Sequence, residues 1–149
     1  MCGIAGYWQS KGQATAELAE RMAFQIRHRG PDVGGAWVDA PAGVALAHRL
    51  LRISDSGPVG QQPMVSPCGR YVLVCDGRIY NHADLRAELE AVGAHFDWQG
   101  DSDVETLLAA LRHWGIANTL QRVVGTFALA MWDRKERQLI LARDRIGEK

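Results

Sequence analysis

The amino-acid sequence predicts an α+β domain that is rich in antiparallel strands. Short apolar runs bounded by Gly, Pro, Asn and Asp recur along the chain, which is typical of strands. Two or three longer stretches carry apolar residues at the helical spacing of three or four. No internal repeat, low-complexity tract or linker interrupts the 149 residues, so we expect a single domain over residues 1–149.

The strand patterns come at both ends of the chain and in its middle. They lie at about Gly3 to Trp8, Gly35 to Asp39, Gly43 to Ile53, Tyr71 to Cys75, Thr126 to Asp133 and Gln138 to Asp144. The run from Tyr71 predicts a buried strand that brings Asp76-Gly77 to its end. The polar residues 134–137 predict a hairpin between the last two strands. Residues 55–63 are rich in Gly and Pro and predict a loop of the kind that often lines a site.

Helical spacing predicts three helices, which glycines at positions 30, 93 and 115 end. The residues expected to face the core are Leu18, Met22 and Ile26 in the first helix, Leu85, Leu89 and Val92 in the second, and Val104, Leu107, Leu108 and Leu111 in the third. Asn81 is expected to cap the second helix, and Ser102 with Glu105 forms the pattern of a capping box for the third. A short apolar turn is expected at 120–124.

Composition excludes several classes of function. The chain has 17 basic and 17 acidic residues without aromatic interleaving, so we expect neither nucleic acid nor an acidic membrane surface as a partner. The three cysteines and five histidines lack metal-ligand spacing, so no metal site is predicted. Few cysteines, no leader pattern and no apolar run of membrane-spanning length predict a cytoplasmic location.

The residue that carries the most chemistry is Cys2, because removal of Met1 would make it the N-terminus. Its thiol could then attack a carbonyl, while its own α-amino group, with an ordinary pKa of about 7.7–8.0, takes up the proton. The small residues Gly3, Ala5 and Gly6 would leave room for a substrate. Further along, the clustered cations of 27–29 could clamp carboxylates or brace a loop.

Seven blocks of sequence, taken together and in order, carry a resemblance to a known family. They are Met1 to Gly6, Arg27 to Asp32, Leu46 to Arg49, Gly77 to His82, Ser102 to Glu105, Gly125 to Ala128 and Ala142 to Gly147. The chain resembles the class II glutamine amidotransferase domain of glutamine-hydrolysing asparagine synthetases. The resemblance implies the N-terminal-nucleophile (Ntn) hydrolase fold, a four-layer α-β-β-α sandwich with two stacked antiparallel sheets. It also implies hydrolysis of L-glutamine to glutamate and ammonia.

The resemblance assigns catalytic roles to Cys2, Asp76 and Gly77. Cys2 is the implied nucleophile, and Asp76-Gly77 stands where the family has the Asn-Gly pair of the oxyanion hole. Gly77 keeps its backbone donor, but an ionised Asp has only acceptors. Loss of one oxyanion donor costs about 10²–10³ in rate. Asp76 could still donate a hydrogen bond if it were protonated.

The implied substrate-binding residues depart from the family at two further positions. Leu50 stands where the family has the Arg that holds the α-carboxylate of glutamine, and Arg78 stands where it has Glu. Strand alternation would put Arg52 on the face of Leu50, so Arg52 and Arg78 are the candidate substitutes. Asp103 keeps the carboxylate that holds the substrate amino group, although a carboxylate in a first helical turn also favours the helix dipole.

Three hypotheses follow for the function. The first is a glutaminase domain, acting through Cys2, that supplies ammonia to an ATP-using synthetase domain or subunit. The second is a catalytically impaired domain that binds a synthetase using free ammonia, and the third is an amidohydrolase for another small amide. The resemblance implies no cofactor in this domain, with ATP and Mg²⁺ expected only in the synthetase domain, and a homodimer is a further hypothesis. Members of the family usually continue beyond the position of Lys149, so we expect either a fragment that ends early or a short natural form.

Overall fold

The computed structural model describes residues 2–52, 60–93 and 96–149. Within these ranges the chain forms seven strands and three α helices. The strands are β1 (Gly3–Trp8), β2 (Val33–Asp39), β3 (Val44–Leu50), β4 (Met64–Val65), β5 (Tyr71–Ile79), β6 (Gly125–Asp133) and β7 (Gln138–Arg143). The helices are α1 (Ala16–Gln25), α2 (His82–Ala91) and α3 (Asp103–Arg122).

The strands form two antiparallel sheets that stack face to face. The first has the order β1-β3-β2 and the second the order β4-β5-β6-β7. Alternate residues of β3 and β5 point between the sheets, where Val44 and Leu46 meet Val72 and Val74. Trp132 of β6 is fully buried in the same layer. This inner layer is the part of the core from which the site is built.

Helices cover the outer faces of both sheets. Ala19 and Ala23 of α1 pack on Ala45 and Ala47 of β3. On the other side, α2 and α3 bury Leu85, Leu107 and neighbouring apolar residues against the second sheet. The layers are therefore helix, sheet, sheet and helix, as the sequence predicted. Among the described residues, no helix is long and apolar enough to cross a membrane.

The predicted stripe of the first helix is wrong at Leu18, whereas Met22 and Ile26 are partly buried. Leu18 is 42% exposed, and the buried face of α1 consists of Ala19 and Ala23. The outer face of the first sheet is lined with alanines, so it leaves a shallow gap that large side chains do not fit. Packing against the sheet therefore overrides the simple four-residue spacing.

Both predicted side-chain caps are also wrong. The side chain of Asn81 makes no cap hydrogen bond; it accepts from the backbone N–H of Val124 and donates to the carbonyl of Arg122 instead. Ser102 likewise makes no side-chain cap bond. Glu105 accepts from the backbone N–H groups of Gln99 and Gly100, which lie before the helix. These residues tie loops to helices rather than closing a helix on itself.

Three predicted boundaries differ in the structure, because pairing and packing with the rest of the domain decide where an element ends. Gly115, with φ of +76° and ψ of 171°, interrupts the helical backbone inside α3, as predicted, but a second helical stretch follows it and extends to Arg122, where an apolar turn was expected. Strand β5 runs through Asp76 and Gly77 to Ile79, because its pairing with β6 continues. Strand β3 ends at Leu50. The predictions for Ile53 and for most of the 55–63 loop fall on residues outside the described ranges.

Candidate active site

The thiol-bearing residue Cys2 lies directly before β1, where the two sheets come together. Gly3 pairs with Arg49 of β3, so Cys2 and Leu50 are the next residues on two neighbouring strands. Cys2 is partly buried. The Nε of Arg29 donates a hydrogen bond of 3.0 Å to the carbonyl oxygen of Cys2. This contact fixes the backbone of the candidate nucleophile.

Arg29 also joins Cys2 to Asp76. Its Nη2 donates to Oδ2 of Asp76 at 2.9 Å, and Nζ of Lys149 lies 3.7 Å from Oδ1 of the same carboxylate. Asp76 is only 6% exposed, so both contacts are largely shielded from water. In this geometry the carboxylate accepts from cations.

Gly77 occupies a position that only glycine fits. Its φ is +142°, and a Cβ there would overlap the carbonyl oxygen of Thr126 on the adjacent strand. The absence of a side chain lets β5 lie against β6 directly after Asp76. Gly77, whose backbone N–H is the second predicted donor to the oxyanion, is therefore fixed within the sheet.

Asp103 and Arg78 lie at the end of β5. Oδ2 of Asp103, in the first turn of α3, accepts a hydrogen bond of 2.9 Å from the backbone N–H of Ile79. Arg78 is the preceding residue, and its side chain is exposed. The contact fixes the start of α3, and with it Asp103, beside the strand that carries Asp76, Gly77 and Arg78.

Leu50 and Arg52 behave differently from each other. Leu50 is partly buried and pairs with Val33, which keeps it beside Cys2. Arg52 follows the end of β3, so strand alternation does not place its side chain as the sequence argument assumed. The side chain of Arg52 is exposed, and its backbone N–H donates to Oδ2 of Asp32 at 2.7 Å. The structure thus brings Leu50 to the site and gives no such support to Arg52.

The arrangement suits nucleophilic attack by a thiol on a polar substrate. Arg29 links the candidate nucleophile to a buried carboxylate, and a backbone donor follows on the same strand. In residues 2–52, 60–93 and 96–149 no group of three or more His, Cys, Asp or Glu side chains could hold a metal ion. A partly buried thiol can act as a nucleophile on a carbonyl.

A family model described as a glutamine amidotransferase domain matches residues 1–149. The chain belongs to the glutamine amidotransferase domain family. This is a family of enzyme domains, and the match covers the whole chain, as the seven sequence blocks predicted.

Relatives of this amidotransferase domain are much longer proteins. A Mycobacterium tuberculosis protein, which carries the provisional name of a glutamine-hydrolysing asparagine synthetase, is 41% identical and matches 100% of this chain. Glutamine-hydrolysing asparagine synthetase 3 of Bacillus subtilis is 36% identical over 100% of the chain, and asparagine synthetase B of Escherichia coli is 35% identical over 99%. The chain spans 24%, 24% and 26% of these three proteins.

A solved structure has the same fold. The glutamine phosphoribosylpyrophosphate amidotransferase of Bacillus subtilis, complexed with ADP and GMP, superimposes with a TM-score of 0.74. The match covers 97% of this chain and 37% of that one at 20% sequence identity. At this identity the likeness concerns the fold alone, and it confirms the Ntn-hydrolase layering predicted from the sequence.

Sequence reasoning missed His48 in this amidotransferase domain. His48 is 2% exposed, and its Nε2 has no hydrogen-bond partner among the described residues. Burial lowers its pKa to about 4, an effect that the negative charge of Asp76 partly opposes. His48 alternates with Val44 and Leu46 on the inner face of β3, so the period-two pattern could have identified it as buried.

Arg29 and Lys149 were also not assigned to the site. The cation cluster of 27–29 was expected to clamp a carboxylate or brace a loop, and Arg29 does the first by binding Asp76. Lys149 reaches Asp76 only because the loop after β7 folds back toward β5. No local pattern in the sequence predicts that approach.

Proposed function

We propose that this domain hydrolyses L-glutamine to glutamate and ammonia, with Cys2 as the nucleophile after removal of Met1. The observation that carries the proposal is the pair of hydrogen bonds from Arg29, one to the Cys2 carbonyl and one to Asp76. They hold a candidate N-terminal thiol at the strand ends in a domain of the amidotransferase family. The family match favours hydrolysis over the alternative of a domain that only binds a partner.

The proposed reaction needs no metal. The sulfur of Cys2 attacks the side-chain amide carbon of glutamine, and the α-amino group takes the thiol proton and returns it to the leaving nitrogen. Ammonia departs and leaves a thioester, which water hydrolyses to glutamate and the thiol. The backbone N–H of Gly77 is the proposed donor to the oxyanion, since the Asp76 carboxylate is an acceptor for Arg29.

The proposed substrate contacts lie at the end of β5. Asp103 uses one oxygen for Ile79, and its second oxygen can accept from the substrate amino group. Arg29 and Lys149 both face Asp76, so their charges are already opposed by a carboxylate. The exposed guanidinium of Arg78 is therefore the better anchor for the substrate α-carboxylate, with Arg52 as the weaker candidate.

The proposal extends to the partner of the domain. The three relatives described above are about four times as long, and those of Bacillus subtilis and Escherichia coli carry the name of a glutamine-hydrolysing asparagine synthetase. We infer that residues 1–149 form one glutaminase unit that delivers ammonia to a synthetase domain or subunit, where ATP and Mg²⁺ would bind. A cytoplasmic location and a homodimer belong to the same proposal.

The test is release of glutamate and ammonia from glutamine, on protein that mass spectrometry shows to begin at Cys2. We expect release that Cys2→Ala abolishes, while Cys68→Ala, which removes an exposed thiol, leaves the rate unchanged. Folded and processed protein that releases no more glutamate than Cys2→Ala would contradict the proposal and favour a domain that only binds its partner.

A further inference from the structure

A cleft apart from the candidate active site lies on the α1 side of the first sheet. Its volume is about 380 Å³, and Arg27, His28, Pro31 and Arg49 line it. Arg49 alternates with His48 on β3, and His48 points between the sheets. The side chain of Arg49 therefore lies on the opposite face from Leu50 and from the proposed glutamine site. The volume falls in the range of about 300–1,000 Å³ that is usual for small-molecule sites.

The residues that line this cleft give it positive charge. Arg27 donates to the carbonyl of Phe24, and Arg49 donates to the carbonyls of Gly30 at 2.7 Å and Pro31 at 2.9 Å. In the described part of the chain, none of these hydrogen-bond partners is a carboxylate. Neutral carbonyls orient a guanidinium without cancelling its charge. Two full positive charges and an imidazole thus converge on one cavity.

The two guanidinium groups are held in place before any ligand binds. Arg27 stacks over the ring of Phe24 at 4.2 Å from its centroid, and Arg49 is fixed by its two carbonyls. Gly30 packs so closely on Arg49 that a Cβ would lie 2.5 Å from its backbone carbonyl. Side chains that are already ordered lose little entropy when they bind.

We propose that this cleft binds the phosphate group of a small metabolite. Guanidinium groups bind phosphate through paired N–H donors. Two guanidinium groups and an imidazole together supply more donors than a single carboxylate ligand could accept. The cleft is larger than inorganic phosphate needs, so both a free phosphate and a phosphate ester fit the chemistry. The proposal concerns a site apart from Cys2 and does not depend on glutamine hydrolysis.

Isothermal titration calorimetry at constant ionic strength tests the proposal. The probes are inorganic phosphate, pyrophosphate and adenosine monophosphate, with acetate as the control anion and no glutamine present. We expect saturable binding of a phosphate probe but not of acetate. Arg27→Gln and His28→Gln should each weaken that binding about tenfold, the effect of losing one charged hydrogen bond. Arg112→Gln, which removes an exposed charge on α3, should leave it unchanged.

The relative affinities of the probes distinguish a phosphate ester from free phosphate as the ligand. Tighter binding of adenosine monophosphate than of inorganic phosphate would support a phosphate ester as the ligand, and equal binding would support the free ion. Binding of acetate as strong as that of all three phosphate probes would overturn the proposal. So would equal weakening by Arg27→Gln and Arg112→Gln, since that result describes general attraction to a positive surface.

Discussion

Two buried aspartates near the second sheet have opposite kinds of partner. Asp144, after β7, is 5% exposed and accepts from the backbone N–H groups of Phe127, Gly147, Glu148 and Lys149. Asp76, within β5, is 6% exposed and faces the side-chain cations of Arg29 and Lys149. Backbone amides cannot leave their carboxylate without unfolding the loop, whereas long side chains can change partners. The first aspartate stabilises a loop, and the second lies in the candidate site.

The two carboxylates are also linked. Asp144 holds the backbone of Lys149, and the side chain of Lys149 then reaches Asp76. The amides of Glu148, Lys149, Gly147 and Phe127 lower the pKa of Asp144 to about 2, against the opposing effect of burial. The structural aspartate therefore positions one of the two cations that face the aspartate of the site.

The largest expected effect comes from Asp76→Asn. An amide in place of the carboxylate can donate to the oxyanion, so turnover of glutamine should rise by about 10²–10³. Stability should fall at the same time, because Arg29 and Lys149 lose their shared partner. Steady-state kinetics and urea unfolding measure the two effects.

Asp101→Asn is the matched control for this substitution, because the side chain of Asp101 is 85% exposed. It should change neither turnover nor stability. Unchanged turnover in a folded Asp76→Asn protein would show that Asp76 does not face the oxyanion.

The next effect concerns His48, whose charge state responds to the same carboxylate. Its folded pKa of about 4 lies below the ordinary 6.5, so the unfolded chain binds more protons between these values. Stability should therefore fall as pH decreases from 6.5 to 4, by about 3 kcal/mol in total. His48→Gln should flatten this dependence in urea unfolding, whereas His28→Gln, at an exposed histidine, should retain it. A flat wild-type curve over this interval would show that His48 is charged in the folded protein.

A smaller pH effect is expected from Asp144. Its pKa is lowered from 3.8 to about 2, so the stability it contributes is complete above 3.8 and is lost as pH falls toward 2. Asp144→Asn should unfold more easily than the wild type at neutral pH, and the difference should shrink below pH 3.8. A difference that stays constant down to pH 2 would mean that the amides do not favour the charged carboxylate.

The smallest expected effect is on substrate binding. Because Arg29 and Lys149 are paired with Asp76, the α-carboxylate of glutamine needs another cation. If Arg78 is that cation, Arg78→Ala should raise the KM for glutamine about tenfold. Arg52→Ala should have less effect, since Arg52 lies beyond the end of β3. Initial-rate measurements over a range of glutamine concentrations distinguish the two variants. An unchanged KM in both would place the carboxylate anchor elsewhere.

The layered fold could be predicted from the sequence because the apolar patterns and the family blocks agree. The boundaries could not, since β5 continues through Gly77 only where β6 lies beside it to complete the pairing. Leu18 is exposed for a similar reason, because the alanine-lined face of the first sheet packs against Ala19 instead. Local patterns predict which elements form, and packing decides where they end and which face they bury.

The candidate site was predictable in part. The residues Cys2, Asp76 and Gly77 came from motif blocks, and the structure brings them to one place. The partners of Asp76 come from positions 29 and 149, so no local pattern could pair them. The prediction for Arg52 was wrong because it assumed that the strand continues through this residue, whereas β3 ends two residues before it, at Leu50.

Cys2, the proposed nucleophile, is not the only thiol in the chain that could react with an electrophile. The thiol of Cys68 is exposed, and a hydrogen bond with the Ser66 hydroxyl lowers its pKa, which favours reaction with any electrophile. Cys75 is no rival, because burial raises the pKa of its thiol. A ketone-based electrophile shaped like glutamine should nevertheless label Cys2.

Mass spectrometry of the labelled protein, with a simple alkylating reagent as the control, is the most direct test. We expect the glutamine-like reagent to modify Cys2 and excess glutamine to protect it, while the simple reagent modifies Cys68. Modification of Cys68 alone by both reagents, in protein that begins at Cys2, would contradict the account.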